Sequence, residues 1–160
     1  MEIVRVVELP RCSMVSSGCS TEQDPFTEDG LLMRFDRWWS AVDAERQDKF
    51  FPRDFMWFDR ERNGLVWYYA ASPMPATTEG FEIIDFPGGM YAAAVARDGD
   101  DEDGNRVRKT IADWIVDSGS LEFDPSRGHS ELFHVITSTA AAEALGYSQL
   151  EILVPVRPRL

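Results

Sequence analysis

The chain has 160 residues, 44% of them apolar, which suits one domain burying roughly 70% of its unfolded surface without staples. Twenty-eight acidic and sixteen basic side chains leave a net charge of −12, and the second half is the more acidic: 15 acids and 7 bases over 79–160, against 13 and 9 over 1–78. Such a surface repels phosphate backbones, no apolar run reaches the roughly 18 residues of a membrane span, and two cysteines without a secretory leader read as reduced, structural thiols. Direct nucleic-acid binding, a membrane span and a disulfide framework are therefore excluded, and a soluble cytoplasmic protein is expected.

In chain order, residues 2–9 read as a strand broken at Pro10, with a second strand over 12–17 that ends at Ser16-Ser17-Gly18. Asp24-Pro25 predicts a helix start, and apolar residues at 31, 32, 35, 38, 39 and 42 give the helical stripe, ending near Lys49 before Pro52. Asn63-Gly64 lies between the aromatic runs 55–59 and 65–70 and predicts a tight hairpin. Ser72-Pro73-Met74-Pro75 is the connector. The second half opens with strands around Ile83-Ile84 and Met90–Ala96, separated by Gly88-Gly89, whose missing side chains allow positive φ or a close approach. Apolar residues at 107, 111, 114 and 115, stopped by Gly119, predict a helix capped at Asp103. Strands over 131–136 and 151–156 follow, with a short Ala-rich helix over 138–145 between them.

The order strand, helix, strand, strand thus occurs twice. Glu8-Leu9-Pro10 recurs as Asp85-Phe86-Pro87, 77 residues later, and Trp38 recurs as Trp114 after 76. The chain is expected to be a single domain, 1–160, made of two repeats, 1–78 and 79–160. At the 76-residue offset Glu131 stands over Phe55. Strand alternation then places Glu131 on one face with Phe133 and Val135, and Leu132, His134 and Ile136 on the other.

Several of these stretches resemble the GyrI-like small-molecule-binding domains, which also serve as effector-binding modules of AraC-type regulators. The likeness rests on the opening strand Ile3 to Val15, Phe86-Pro87-Gly88-Gly89-Met90-Tyr91-Ala92 as the family's Pro-Gly-x-Tyr-Ala element, Trp114 on the second helix, Glu131 in a Glu-x-aromatic strand, and Glu151-Ile152-Leu153-Val154-Pro155-Val156 at the end. It implies an α+β fold of tandem βαββ repeats with pseudo-twofold symmetry, antiparallel sheets with helices on one side, and a ligand cleft between the halves, in a standalone member. It also implies an amphipathic, cationic or aromatic drug-like ligand, with a regulator or gyrase as the protein partner to consider. The oligomeric state stays open.

The expected ligand contacts are Glu131, Tyr91, Trp57, Trp67, Tyr69, Phe133 and Trp114. A Glu among aromatic rings must raise its pKa, find a donor or await a cation, and the rings of the hairpin exceed what two short strands need for a core. The alternative function is hydrolysis of strained electrophiles by Glu131 and Tyr91. Relatives commonly carry Tyr where this chain has Phe133, which favours binding over catalysis. His129 and His134 have no metal-ligand array around them, and no phosphate-cradling glycine loop leads into a helix, so neither metal nor cofactor is expected.

Overall fold

A computed structural model describes residues 2–160. Its elements are β1 (Arg5–Leu9), β2 (Cys12–Ser20), α1 (Leu31–Ala44), β3 (Asp54–Asp59), β4 (Gly64–Tyr69), β5 (Glu82–Phe86), β6 (Gly89–Arg97), α2 (Asp101–Ser118), β7 (Leu121–Phe123), β8 (Leu132–Val135), α3 (Thr139–Leu145) and β9 (Gln149–Pro158). The fold is α+β with antiparallel strand pairing throughout the registers described. No helix among the described residues is long and apolar enough to cross a membrane.

The chain forms two compact units: an N-terminal unit, Arg11–Pro87, and a C-terminal unit of Met1–Pro10 with Gly88–Leu160. Each sequence half therefore gives its first strand to the other half's unit. β1 pairs with β6, and β5 pairs with β2. The two pairings repeat each other: Leu9↔Gly89 becomes Phe86↔Cys12 when every residue is moved by 77 positions and the strands exchange places. The burial patterns of β1 and β5 are identical, half-buried at Val7 or Ile84, buried at the terminal Leu9 or Phe86 and exposed elsewhere.

In the N-terminal unit the ladder runs β3-β4-β2-β5. Helix α1 lays Leu32, Phe35 and Trp38 on it, and Phe35, Trp38, Tyr69 and Val15 form the core with Trp39, Trp67 and Phe81 at its margin. This core is aromatic, with Phe35 edge-on to Phe81 at 5.0 Å and Trp39 stacked on Tyr69 at 5.4 Å. The helix begins at Leu31, not at Asp24-Pro25. The Asp24 carboxylate accepts from the Phe26 N–H in a local turn, a bond that competes with helix formation, and Gly30 occupies the N-cap position. It ends at Ala44, five residues short of Lys49, where Arg46 turns back to Asp43.

In the C-terminal unit the ladder runs β1-β6-β9-β8, with β7 also on β9. Here the core is aliphatic: Ala92, Ala94, Ala96, Ile152 and Val156 against Val107, Ile111 and Ile115 of α2. Three alanines in β6 let the helix approach closely, and each fully buried Ile or Val contributes roughly 1.5–3 kcal/mol. Asp100 caps α2 by accepting from the Asp103 N–H, and Gly119 ends the helix in the left-handed conformation. Asp103, the residue expected to cap, instead accepts from the Arg97 N–H and from Arg106. The strand β7 was not foreseen from the sequence, being only three residues long.

Candidate functional site

Antiparallel registers fix which side chains share a face, because partners directly across a ladder point the same way. In β6, Ala92, Ala94 and Ala96 face α2, so Tyr91, Ala93 and Val95 face the opposite side. Crossing to β9 and β8 extends that opposite face through Leu153 and Glu151 to Leu132 and His134. Arg5 and Val7 join it from β1.

The chemistry of this face lies in two buried clusters. Glu151 is 1% exposed, although it carries a carboxylate inside the otherwise apolar run Leu150–Val156 of β9. His134 Nε2 lies 3.0 Å from one carboxylate oxygen and Arg5 Nη2 lies 2.7 Å from the other. Burial alone would raise the Glu151 pKa, but the hydrogen bonds from His134 and Arg5 outweigh it and hold the carboxyl below its ordinary value. Glu151 is therefore ionised near neutral pH, and it accepts from His134 Nε2–H and from the Arg5 guanidinium.

The second cluster surrounds Tyr91, whose hydroxyl shares a 2.9 Å hydrogen bond with His129 Nε2 while the two rings stack at an interplanar angle of 4°. Burial, reinforced by the nearby Arg127 charge, lowers the His129 pKa to about 4, so this imidazole is neutral. Arg127 stands 5.0 Å over the Tyr91 ring and donates to Asp124 and to the Val156 carbonyl. Its guanidinium also lies against Gly89, where a Cβ would come within 2.4 Å of it and where φ is +114°. The close approach expected at Gly88-Gly89 is this one.

The residues expected to contact ligand divide between faces. Glu131 sits just before β8 and forms a two-pronged ion pair with Arg108 of α2, at 2.8 and 3.0 Å. Phe133 packs into the α2 core, as does the half-buried Trp114. Glu131 and Phe133 do share a face, but it is the helix face, and Tyr91 is on the other. Of the three possibilities for Glu131 the structure realises the donor.

In the N-terminal unit, Trp67 and Tyr69 likewise point to α1. Trp67 Nε1 donates to Asp54, and burial, together with the hydrogen bond that the Tyr69 hydroxyl donates to Asp43, raises the Tyr69 pKa. Trp57 alone of the hairpin rings expected at the ligand lies on the face away from α1, beside Tyr68, which in turn meets Phe86. A groove of about 630 Å³ lies between α1 and the segment 75–81, lined by Arg34, Trp38, Val42, Glu45, Pro75 and Phe81. Its charges are mixed, and none of the expected ligand residues lines it.

The 76-residue alignment also needs correction by one position. Phe55 crosses to Tyr68 on the helix-free face, whereas Glu131 is on the helix face, so the two are not equivalent. At 77 residues, the offset of the exchanged strands, Phe55 stands over Leu132, both buried, and Asp54 stands over Glu131. Both carboxylates then accept a hydrogen bond on the helix side of their own unit. One residue of slip turns every side chain to the other face.

Sequence reasoning missed Glu151. The available signal was a single acidic residue in the run Glu151–Val156, which has no other polar side chain. Among the described residues, no group of three or more His, Cys, Asp or Glu side chains is arranged to hold a metal ion.

These features define an α+β domain of tandem antiparallel units, each with a helix on one face and its other sheet face free of its own helix. The same fold is found in solved structures: the C-terminal domain of EcmrR, at 12% identity over 98% of both chains with a TM-score of 0.65, and SAV2435 bound to tetraphenylphosphonium, at 8% identity over 97% of this chain and 94% of that one with a TM-score of 0.58. The chain spans 57% of the EcmrR chain in its complex with DNA, with a TM-score of 0.64. No family model matches the chain, and no curated protein does.

Proposed function

We propose that this protein binds or senses an amphipathic, cationic small molecule, as an effector-binding domain of the kind found in transcription regulators, and that the ligand meets the helix-free face of the C-terminal unit. The observation that carries this reading is the buried Glu151. A buried, hydrogen-bonded carboxylate is weak as a source of stability, since an apolar pair of similar volume serves as well or better. At the position across β8 and β9 where this unit has His134↔Glu151, the N-terminal unit has Trp57↔Val66 in β3 and β4. The same scaffold position thus works without charge, which makes the carboxylate a functional element in this reading. The solved structure of SAV2435 with tetraphenylphosphonium supports a bulky monocation as the ligand class.

Binding is favoured over hydrolysis by the separation of Glu131 and Tyr91 onto two faces of the sheet, since an acid–base pair must converge on one reacting atom. Calorimetric titration with tetraphenylphosphonium and tetraphenylborate, ions of matched size and opposite charge, tests the proposal. The cation should bind at least tenfold more tightly. Equal affinities, or a preference for the anion, would refute it.

A further inference from the structure

The two partners of Glu151 differ in freedom. The His134 side chain is 0% exposed and held in β8, whereas the Arg5 side chain is 61% exposed on β1, the strand that the start of the chain lends to this unit. In the ladder Arg5 lies across from Ala93, and Ala93 lies across from Leu153. The Arg5 stem therefore reaches diagonally over a methyl group toward Glu151, where a larger side chain at position 93 would stand in its way. Arg5 can swing into water and recover its hydration without disturbing the backbone. Glu151 cannot follow it. A carboxylate left alone in the interior is costly, so Arg5 departs readily only if another cation takes its place.

Resting on the cation-binding reading above, we propose that Arg5 is a resident cation, a tethered stand-in that occupies Glu151 until a cationic ligand displaces it, and so sets both affinity and charge selectivity. Exchange of one cation for another keeps Glu151 neutralised throughout. A neutral or anionic molecule of the same shape offers no such exchange and is rejected by the intact pair. The arginine thus lowers affinity for cations, which must displace it, while keeping uncharged molecules out.

The test replaces Arg5 by Met, which keeps an apolar stem and removes the charge. Tetraphenylphosphonium should bind Arg5→Met about tenfold or more tightly than it binds the wild type, while tetraphenylborate should not gain. Equal or weaker cation binding by a folded Arg5→Met protein would overturn the role of Arg5 and leave the function reading standing. Binding of the cation by neither protein would overturn the function reading, and this inference with it. A second measurement does not depend on the variant: in ¹⁵N-labelled wild-type protein, the Arg5 Nε–H resonance should move to the position of a solvent-exposed arginine at saturation with tetraphenylphosphonium. An unmoved resonance at saturation would also overturn the proposal.

Discussion

The two units repeat one backbone plan and fill it with different chemistry. Under α1 the N-terminal unit packs rings, Phe35, Trp38 and Tyr69, whereas under α2 the C-terminal unit packs Ala92, Ala94, Ile111 and Ile152. On the faces away from the helices, one unit presents Trp57, Tyr68 and Phe86 and the other Arg5, Tyr91, His134 and Glu151. The shared strand registers show that a fold can be duplicated while its side chains diverge, because the ladder is held by backbone hydrogen bonds and asks only for the right alternation. What differs is therefore more informative about function than what is shared.

The sharpest break of this comparison is at the position where Trp57↔Val66 faces its counterpart His134↔Glu151. Replacing His134 alone by Leu takes one of the two hydrogen bonds from the buried Glu151 carboxylate and should lower stability by about 3 kcal/mol or more, since a buried charged group short of a partner costs more than a neutral one. The double replacement His134→Phe with Glu151→Val should lose less than that single one, although it changes more atoms. Urea unfolding of the three proteins checks this. A double variant less stable than the single would mean that the pair is structural.

A smaller effect separates the units by pH. Both histidines of the chain, His129 and His134, belong to the C-terminal unit. His129 has its pKa lowered from 6.5 to about 4 in the folded protein. Between those values the unfolded chain binds the proton and the folded chain does not, so stability is lost as pH falls from 6.5 toward 4, by about 3 kcal/mol over the full window. Glu151 acts in the same direction at lower pH: its depressed value gives stability that is present above the ordinary carboxyl pKa and lost as pH falls through the folded one. Replacing His129 by Asn should flatten the stability profile between pH 6.5 and 4. An unchanged slope would place the titration elsewhere.

The smallest effect concerns Glu131. Its ion pair with Arg108 is partly exposed, 21% and 36% for the two side chains, so Glu131→Gln should cost about 1 kcal/mol or less. The ratio of tetraphenylphosphonium to tetraphenylborate affinity should not change. A loss of cation preference in this variant would return Glu131 to the ligand site.

Much of the architecture was legible because it rests on local signals. Asn63-Gly64 marked the hairpin, Gly119 stopped α2, and the recurrence of Glu8-Leu9-Pro10 as Asp85-Phe86-Pro87 disclosed the duplication. The exchange of first strands was not legible, since either partner satisfies the same β-branched run. The site was read less well for a related reason. Alternation correctly grouped Glu131 with Phe133, but nothing in a period of two tells which face receives the helix. Counting rings in the hairpin could not separate Trp67 and Tyr69, which build the core under α1, from Trp57, which does not. Glu151 was overlooked because its partners, Arg5 and His134, are 146 and 17 residues away along the chain.

The Glu151 carboxylate is the group proposed to select a cation. The most direct measurement is the ratio of tetraphenylphosphonium to tetraphenylborate affinity in wild-type protein and in Glu151→Gln, which keeps the shape and removes the charge. The wild type should favour the cation at least tenfold, and the variant should bring the two affinities to within a factor of about two. A cation preference that survives in a folded Glu151→Gln protein would contradict the account.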